Sequence, residues 1–214
     1  MRAVVSGTAG GIGLAIAKRY LAEGCEVVGY DRLPSAIDHP RYRHVLHDVR
    51  DALSEAPAAE YLVVNAGTLE KSEAIEVNLL GAIRFFEAFE NAPCLRSALF
   101  IASASARSGA EFPRYVASKA GLVGYMKNRA LALAERGVTC NSISPGGVVT
   151  PANRHILADE RLYAAVRAET LLGKWAEPEE IADLAWYLTA VNRSITGEDI
   201  LIDNGEMLKS NFIW

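Results

Sequence analysis

Tyr115 is the only one of eight tyrosines followed four residues later by a lysine, Lys119. On a helix that spacing puts a phenol and an amine on one face. An unperturbed phenol ionises near pH 10, too high for a base at neutrality. Lowering it by about three units requires roughly 4 kcal/mol of preferential phenolate stabilisation. One ammonium about 4 Å away, at an effective dielectric near 20, supplies about that much. The spacing therefore predicts that Lys119 suffices to make Tyr115 a general acid/base. Upstream, Ser103 follows the apolar run Ala98-Leu99-Phe100-Ile101 and can donate a hydrogen bond to an oxygen gaining alkoxide character. Ser105 is a rival for that role.

A second site is written near the N-terminus. Ser6-Gly7-Thr8-Ala9-Gly10-Gly11-Ile12-Gly13 joins the run Ala3-Val4-Val5 to a helical pattern from Ile12 to Glu23. A strand entering a glycine turn that opens a helix directs free N–H groups and the positive helix end at a phosphate. Gly7 permits the turn, Gly11 lets the backbone approach a pyrophosphate, and Gly13 lets the helix pack on the strand. The next strand ends in Asp31, about 20 residues beyond, where a carboxylate accepts both ribose hydroxyls of an adenosine and repels a 2′-phosphate. That favours NAD over NADP, although the adjacent Arg32 can attract such a phosphate.

These residues need a scaffold, and the hydropathy pattern supplies one. Apolar runs at 3–5, 26–30, 44–46, 61–64, 98–101, 138–143 and 200–202 alternate with segments of helical period. The runs are apolar throughout, as expected when helices cover both faces of a parallel sheet. The pattern predicts one α/β domain over 1–214: a doubly wound, mostly parallel, Rossmann-like sheet of seven strands. Its one long departure, Thr150 to Ala176, predicts a substrate lid at about 151–176, with a packed surface helix pair as the alternative. Arg154, His155, Arg161 and Arg167 within it read as a solvated helix face, with contact to an anionic substrate as the other possibility.

Composition narrows the function classes. Half the 214 residues are hydrophobic and the net charge is only −4, which excludes a disordered chain. Without a Lys/Arg cluster there is no footprint for nucleic acid or an anionic membrane. Three separated cysteines fit neither a disulfide framework nor a zinc site, and no metal is expected. No apolar run reaches the roughly 18 residues of a membrane span, and a strand beginning at Ala3 leaves no room for a signal peptide. A cytoplasmic protein is expected.

With its turn spaced Gly-x-x-x-Gly-x-Gly, the sequence resembles the short-chain dehydrogenase/reductase family along nearly its whole length. His47-Asp48-Val49 is similar to the pair beside the adenine, and Asn65-Ala66-Gly67 matches the Asn-Ala-Gly signature. Val77-Asn78-Leu79-Leu80-Gly81 matches the segment with the catalytic Asn. Tyr115-Val116-Ala117-Ser118-Lys119 is similar to the Tyr-x-x-x-Lys segment, and Pro145-Gly146-Gly147-Val148-Val149-Thr150 to the Pro-Gly turn whose Thr contacts the nicotinamide amide. The segments 177–182 and 195–200 match in type and order. The resemblance implies catalytic Asn78, Ser103, Tyr115 and Lys119. It implies cofactor contacts at Gly7, Gly11, Ile12, Gly13, Asp31, Asp48, Val49, Asn65, Ala66, Gly67, Tyr115, Lys119, Pro145, Gly146, Val148 and Thr150. Asn78 would hold a water linking Lys119 to solvent, and Lys119 would also bond the nicotinamide ribose.

The sequence departs from the pattern in places. The 65–78 segment is short, so a helix there is expected to shrink to a turn, and the 48–61 connection is short too. The implied function is an NAD-dependent oxidoreductase interconverting a secondary alcohol and a ketone, with a small-molecule substrate. The alternative is a non-catalytic regulator sensing NAD(H), which needs the glycine turn but no proton-transfer set. An epimerase or dehydratase with the same Tyr–Lys pair would need a C-terminal substrate domain, for which about ten residues after the last strand leave no room. Small residues Ala117, Ala120, Gly121 and Gly124 permit close helix approach, and the apolar tail 211–214 is expected to pack on a neighbour. A homodimer or homotetramer is the expected assembly.

Overall fold

The computed structural model describes residues 1–53 and 56–209. Seven strands form one sheet: β1 (Arg2–Ser6), β2 (Glu26–Asp31), β3 (Tyr42–Leu46), β4 (Tyr61–Val64), β5 (Ser97–Ile101), β6 (Thr139–Pro145) and β7 (Asp199–Ile202). Their order is β3-β2-β1-β4-β5-β6-β7, and every pairing is parallel. The chain leaves β1 in one direction through β2 and β3, then returns to build outward through β4. The order thus reverses beside β1, and the crevice at the carboxyl ends of β1 and β4 is where such sheets bind ligands.

The apolar runs divide between two cores. On β1, Ala3 and Val5 face one side and Val4 the other. Helices α1 (Gly11–Ala22) and α7 (Pro178–Trp186) cover the first side with Ile16, Tyr20, Ile181 and Ala185. The second side holds α2 (Ala82–Glu87) and α4 (Pro113–Leu133), which bring Phe85, Phe86, Leu122 and Met126 onto Leu62 and Phe100. Burial of strands on both faces explains why they read as continuous rather than alternating runs. α7 starts where Pro178 and the reciprocal Glu177–Glu180 capping box place it.

Some strand limits differ from the hydropathy reading. β3 begins at Tyr42, two residues early, and β6 runs from Thr139 through Pro145. Val138 is buried but its N–H bonds the carbonyl of Leu133, so it belongs to the turn. Between Asn65 and Asn78 the expected shortening is present: only a turn at 71–73 precedes a helix that opens at Ala74 and widens into a π turn over Glu76–Gly81. Among the described residues of 48–60 there is no helix either.

The 151–176 excursion carries α5 (Arg154–Leu157) and α6 (Glu160–Ala168), neither of which buries a residue. Arg154, His155, Arg161 and Arg167 are all exposed. The excursion is pinned at its base, where Val149 N–H donates to Ala176 O at 2.9 Å and Ala176 N–H to Gly147 O at 3.0 Å. The remaining helix, α3 (Ser105–Ser108), leads into α4. No helix among the described residues is long and apolar enough to cross a membrane. The tail 211–214, expected to pack on a neighbour, lies outside the described residues.

The glycine turn is packed to its limit. A Cβ on Gly13 would lie 2.0 Å from Gly7 O and 2.4 Å from Asn65 Nδ2. Neither a carbonyl in a turn nor an amide held by two bonds can yield easily. Gly13→Ala is therefore expected to lower the free energy of unfolding by at least about 1–3 kcal/mol, read as a drop in the urea midpoint. An unshifted midpoint would mean that helix α1 does not seat on the turn in this way.

Candidate active site

α4 begins cleanly because Pro113 occupies its first turn, where a missing N–H costs nothing. Two residues on, Tyr115 points inward, and Lys119 one turn later is buried. Lys119 Nζ donates to Ile101 O at 2.9 Å and lies 5.9 Å from the centre of the Tyr115 ring. Ser103 follows β5. Ala102 N–H bonds Ile143 O and Ala104 N–H bonds Pro145 O, so strand-like pairing with β6 continues past the serine and holds it at the strand's carboxyl end. Ser103 and Ser105 hydroxyls are 3.1 Å apart, and both residues are buried.

The electrostatics correct one expectation. Burial pushes the Tyr115 phenol above its ordinary value; the Ser103 hydroxyl, a hydrogen-bonding neighbour, offsets part of the rise, and the Glu111 carboxylate adds to it. Burial likewise pushes the Lys119 ammonium down, to about 8. Lys119 therefore does not by itself bring the phenol to neutrality. The same desolvation that weakens the ammonium disfavours the phenolate, and the ammonium spends its hydrogen bond on the Ile101 carbonyl.

Asn78 sits in the π turn, a distortion that aims its amide sideways at the chain rather than along the helix. Its Oδ1 accepts Thr68 N–H at 2.7 Å, and its Nδ2 donates to Thr68 O at 2.9 Å. A Cβ built on Gly67 would lie 3.2 Å from Asn78 Oδ1 and 3.6 Å from Lys119 Nζ. Gly67 thus lies between the amide and the amine, and a side chain there would crowd the amide oxygen.

The dinucleotide-type cradle is assembled from four loops. Asn65 Nδ2 donates to Ser6 O at 3.0 Å, while the Ser6 hydroxyl accepts the N–H groups of Asn65 and Ala66 at 3.0 and 3.1 Å. These bonds tie the loop after β4 to the glycine turn. Thr150, past the Pro145-Gly146-Gly147 turn, touches the same place: a Cβ on Gly11 would lie 3.4 Å from Thr150 Cγ2. Val148 is buried beneath it, and Ile12 packs partly buried in the first turn of α1. A pocket at the β2 end is lined by Gly7, Asp31, Arg32, His47, Asp48 and Val49, among others. Asp31 accepts Ala9 N–H and Leu33 N–H, both at 2.9 Å, which leaves further lone pairs on its oxygens.

Two site features escaped sequence reading. Tyr42 on β3 reaches across to Thr8 of the glycine turn, with the two hydroxyl oxygens 2.9 Å apart, and Gly29 has no side chain because one would collide with both. The i, i+2 pair Tyr42 and His44 on one strand face was the available signal. An ionic chain also runs beside the pocket: Asp48 to Arg50 at 2.6 Å, Arg50 to Glu73 at 3.1 Å, and Arg32 to Glu73 at 4.0 Å. The Arg50 guanidinium holds the Asp48 carboxyl down, at about 2. No spacing in the sequence announces it.

The residues fit a nicotinamide dinucleotide. The glycines leave backbone exposed where a phosphate would lie, and the His47 Nε2, against the adenosine end, is buried without a hydrogen-bond partner among the described residues. Comparisons with known proteins agree. A family model described as Enoyl-(Acyl carrier protein) reductase matches residues 53–206. The 3-oxoacyl-(acyl-carrier-protein) reductase FabG of Salmonella typhimurium is 28% identical over 238 residues, covering 95% of this chain and 96% of the relative. L-rhamnose 1-dehydrogenase (NAD(P)(+)) of a Sphingomonas species is 34% identical over 111 residues, 51% of this chain and 44% of the relative. The ligand-free structure of Thermoplasma acidophilum aldohexose dehydrogenase superposes with a TM-score of 0.87 at 24% identity, over all of this chain and 96% of that one, and so shares the fold. The match over most of the chain and the seven-stranded parallel architecture lead to one conclusion: this chain is a member of the short-chain dehydrogenase/reductase family of oxidoreductases.

Proposed function

We propose that the protein interconverts a secondary alcohol and a ketone with NAD as its cofactor. The observation that carries this reading is the grouping of buried Ser103 and Lys119 with the half-buried Tyr115 at the carboxyl edge of β5. A sensor of NAD(H) would have use for the glycine cradle but none for a buried ammonium beside a half-buried phenol. The relatives are named as a reductase of a 3-oxoacyl group and a dehydrogenase of L-rhamnose, both oxidoreductases.

When bound, the dinucleotide supplies the hydride acceptor or donor. Gly7, Gly11, Ile12 and Gly13 would hold its pyrophosphate, Asp31 the adenosine ribose, and Asp48 and Val49 the adenine side. Asn65, Ala66, Gly67, Pro145, Gly146, Val148 and Thr150 would line the nicotinamide half. The chain's own work is to move a proton at the substrate oxygen. Tyr115 gives that proton to the developing alkoxide, or takes it from the alcohol, and Ser103 donates a second hydrogen bond that strengthens as charge grows there. Lys119 bonds the nicotinamide ribose and, with Asn78 holding a water nearby, returns Tyr115 to its starting protonation. The 151–176 excursion, whose helices α5 and α6 bury no residue and whose ends are clasped at Gly147 and Ala176, closes over the substrate and excludes water. The small residues Ala117, Ala120, Gly121 and Gly124 line an exposed stripe of α4 on which two copies would pair, in a homodimer or homotetramer.

Tyr115→Phe keeps the ring and removes the proton. Turnover of an alcohol or ketone, followed by NADH absorbance, is expected to fall about 10²–10⁴-fold, with dinucleotide binding retained; full activity refutes the assignment. Asp31→Ala is expected to weaken NAD more than NADP in a binding titration. Tighter binding of NADP by the unaltered protein refutes the choice of NAD.

Lys119 gives a stability test. Its value falls from 10.5 to about 8 on folding, so between those limits the unfolded chain binds more protons than the folded one. The penalty of burying the charge is complete below about pH 8 and is relieved as pH rises toward 10.5. Lys119→Met is therefore expected to raise Tm at pH 7, with the advantage shrinking above pH 9. A variant that melts lower than the parent at pH 7 and equally at pH 9.5 contradicts this origin of the shift.

A further inference from the structure

Arg32 and Asp48 line the pocket that the proposed function assigns to the adenosine half of the dinucleotide. Asp31 shares that wall. On sequence alone, Asp31 and Arg32 argue in opposite directions about a 2′-phosphate. A third charged group decides between them. Glu73 lies in the turn that replaces a helix between Asn65 and Asn78, where its N–H bonds the carbonyl of Glu70 at 3.1 Å. From there its carboxylate spans two guanidiniums: Oε1 lies 3.1 Å from Arg50 Nη1, and Oε2 lies 4.0 Å from Arg32 Nη1. Arg50 is held on its other side by Asp48 at 2.6 Å.

We infer that Glu73 is a specificity-determining residue that turns the pocket against NADP by occupying Arg32, which lines the pocket, together with Arg50 beside it. Arginine binds phosphate best through a free planar fork. Here the Arg50 fork is divided between Asp48 and Glu73, and Arg32 leans on Glu73. Glu73 also sets the sign of the local charge. With it, three carboxylates (Asp31, Asp48, Glu73) face two guanidiniums (Arg32, Arg50). Without it the two signs balance, and Arg32 is released at the pocket wall. The pairs are partly exposed, with Arg32 at 57% and Glu73 at 31% of full side-chain exposure, so they add little to folding stability. Their effect is on a dianionic ligand placed within a Debye length of about 8 Å. The shortened 65–78 segment thus gains a role, since it delivers this carboxylate to the adenosine end.

This inference rests on the dinucleotide reading, and its test separates the two. NAD⁺ and NADP⁺ are titrated by calorimetry into the unaltered protein, Glu73→Gln, Glu73→Ala and the double variant Glu73→Gln/Arg32→Ala. Glu73→Gln and Glu73→Ala are expected to shift the ratio of the two dissociation constants about tenfold toward NADP⁺, equivalent to about 1.4 kcal/mol. Loss of Arg32 in the double variant is expected to cancel most of that gain. An unchanged ratio in both single variants, or a gain that persists without Arg32, overturns the role of Glu73 while leaving dinucleotide binding intact. Preference of the unaltered protein for NADP⁺ overturns the choice of NAD but still lets the ratio report on Glu73. Failure of the unaltered protein to bind either dinucleotide overturns both.

Discussion

A primary ammonium taken out of water is the constraint around which the site is organised. Lys119 is buried, and its Nζ satisfies itself on the carbonyl of Ile101, the last residue of β5. That bond fixes the distance between helix α4 and the sheet at the level where Ser103 emerges. An unpaired charge in such a place usually surrenders its proton or finds a counter-ion. Lys119 has a carbonyl dipole and the face of Tyr115 instead, so it remains a cation near neutrality only by a narrow margin. A group poised this way gives up or regains a proton at little cost.

The neighbouring loops are arranged to protect that poise. Asn78, set by the π turn, holds Thr68 through both ends of its amide, and this bond pair keeps the 66–68 strand-end loop from closing on the amine. The Ser6 hydroxyl and Asn65 amide then lock the same loop to the glycine turn. The loop after β4 is therefore bonded on one side to Asn78 and on the other to the glycine turn.

Much of this was legible in the sequence because it depends on local chemistry. Continuous apolar runs revealed strands buried on both faces, and all seven were found. Gly7 to Gly13, Asn65, Asn78 and the Tyr115–Lys119 pair sit at turns or on one helix face, where spacing along the chain equals proximity in space. What stayed hidden depends on distance across the sheet. Nothing in the spacing joins Thr8 to Tyr42 or Arg32 to Glu73, because sheet order and the path of a shortened loop bring them together. The balance of burial against charge at Tyr115 was also out of reach, since desolvation is a property of the packed interior and not of neighbours in the chain.

The excursion from 151 to 176 leaves and re-enters the body of the protein at almost the same point, where Val148 pairs with Ala176 and Trp175 lies against Gly147. A loop whose two ends are already clasped places no strain on the sheet whatever its length or contents. Such a segment can be exchanged by evolution or by an engineer while the sheet and the glycine turn keep their arrangement.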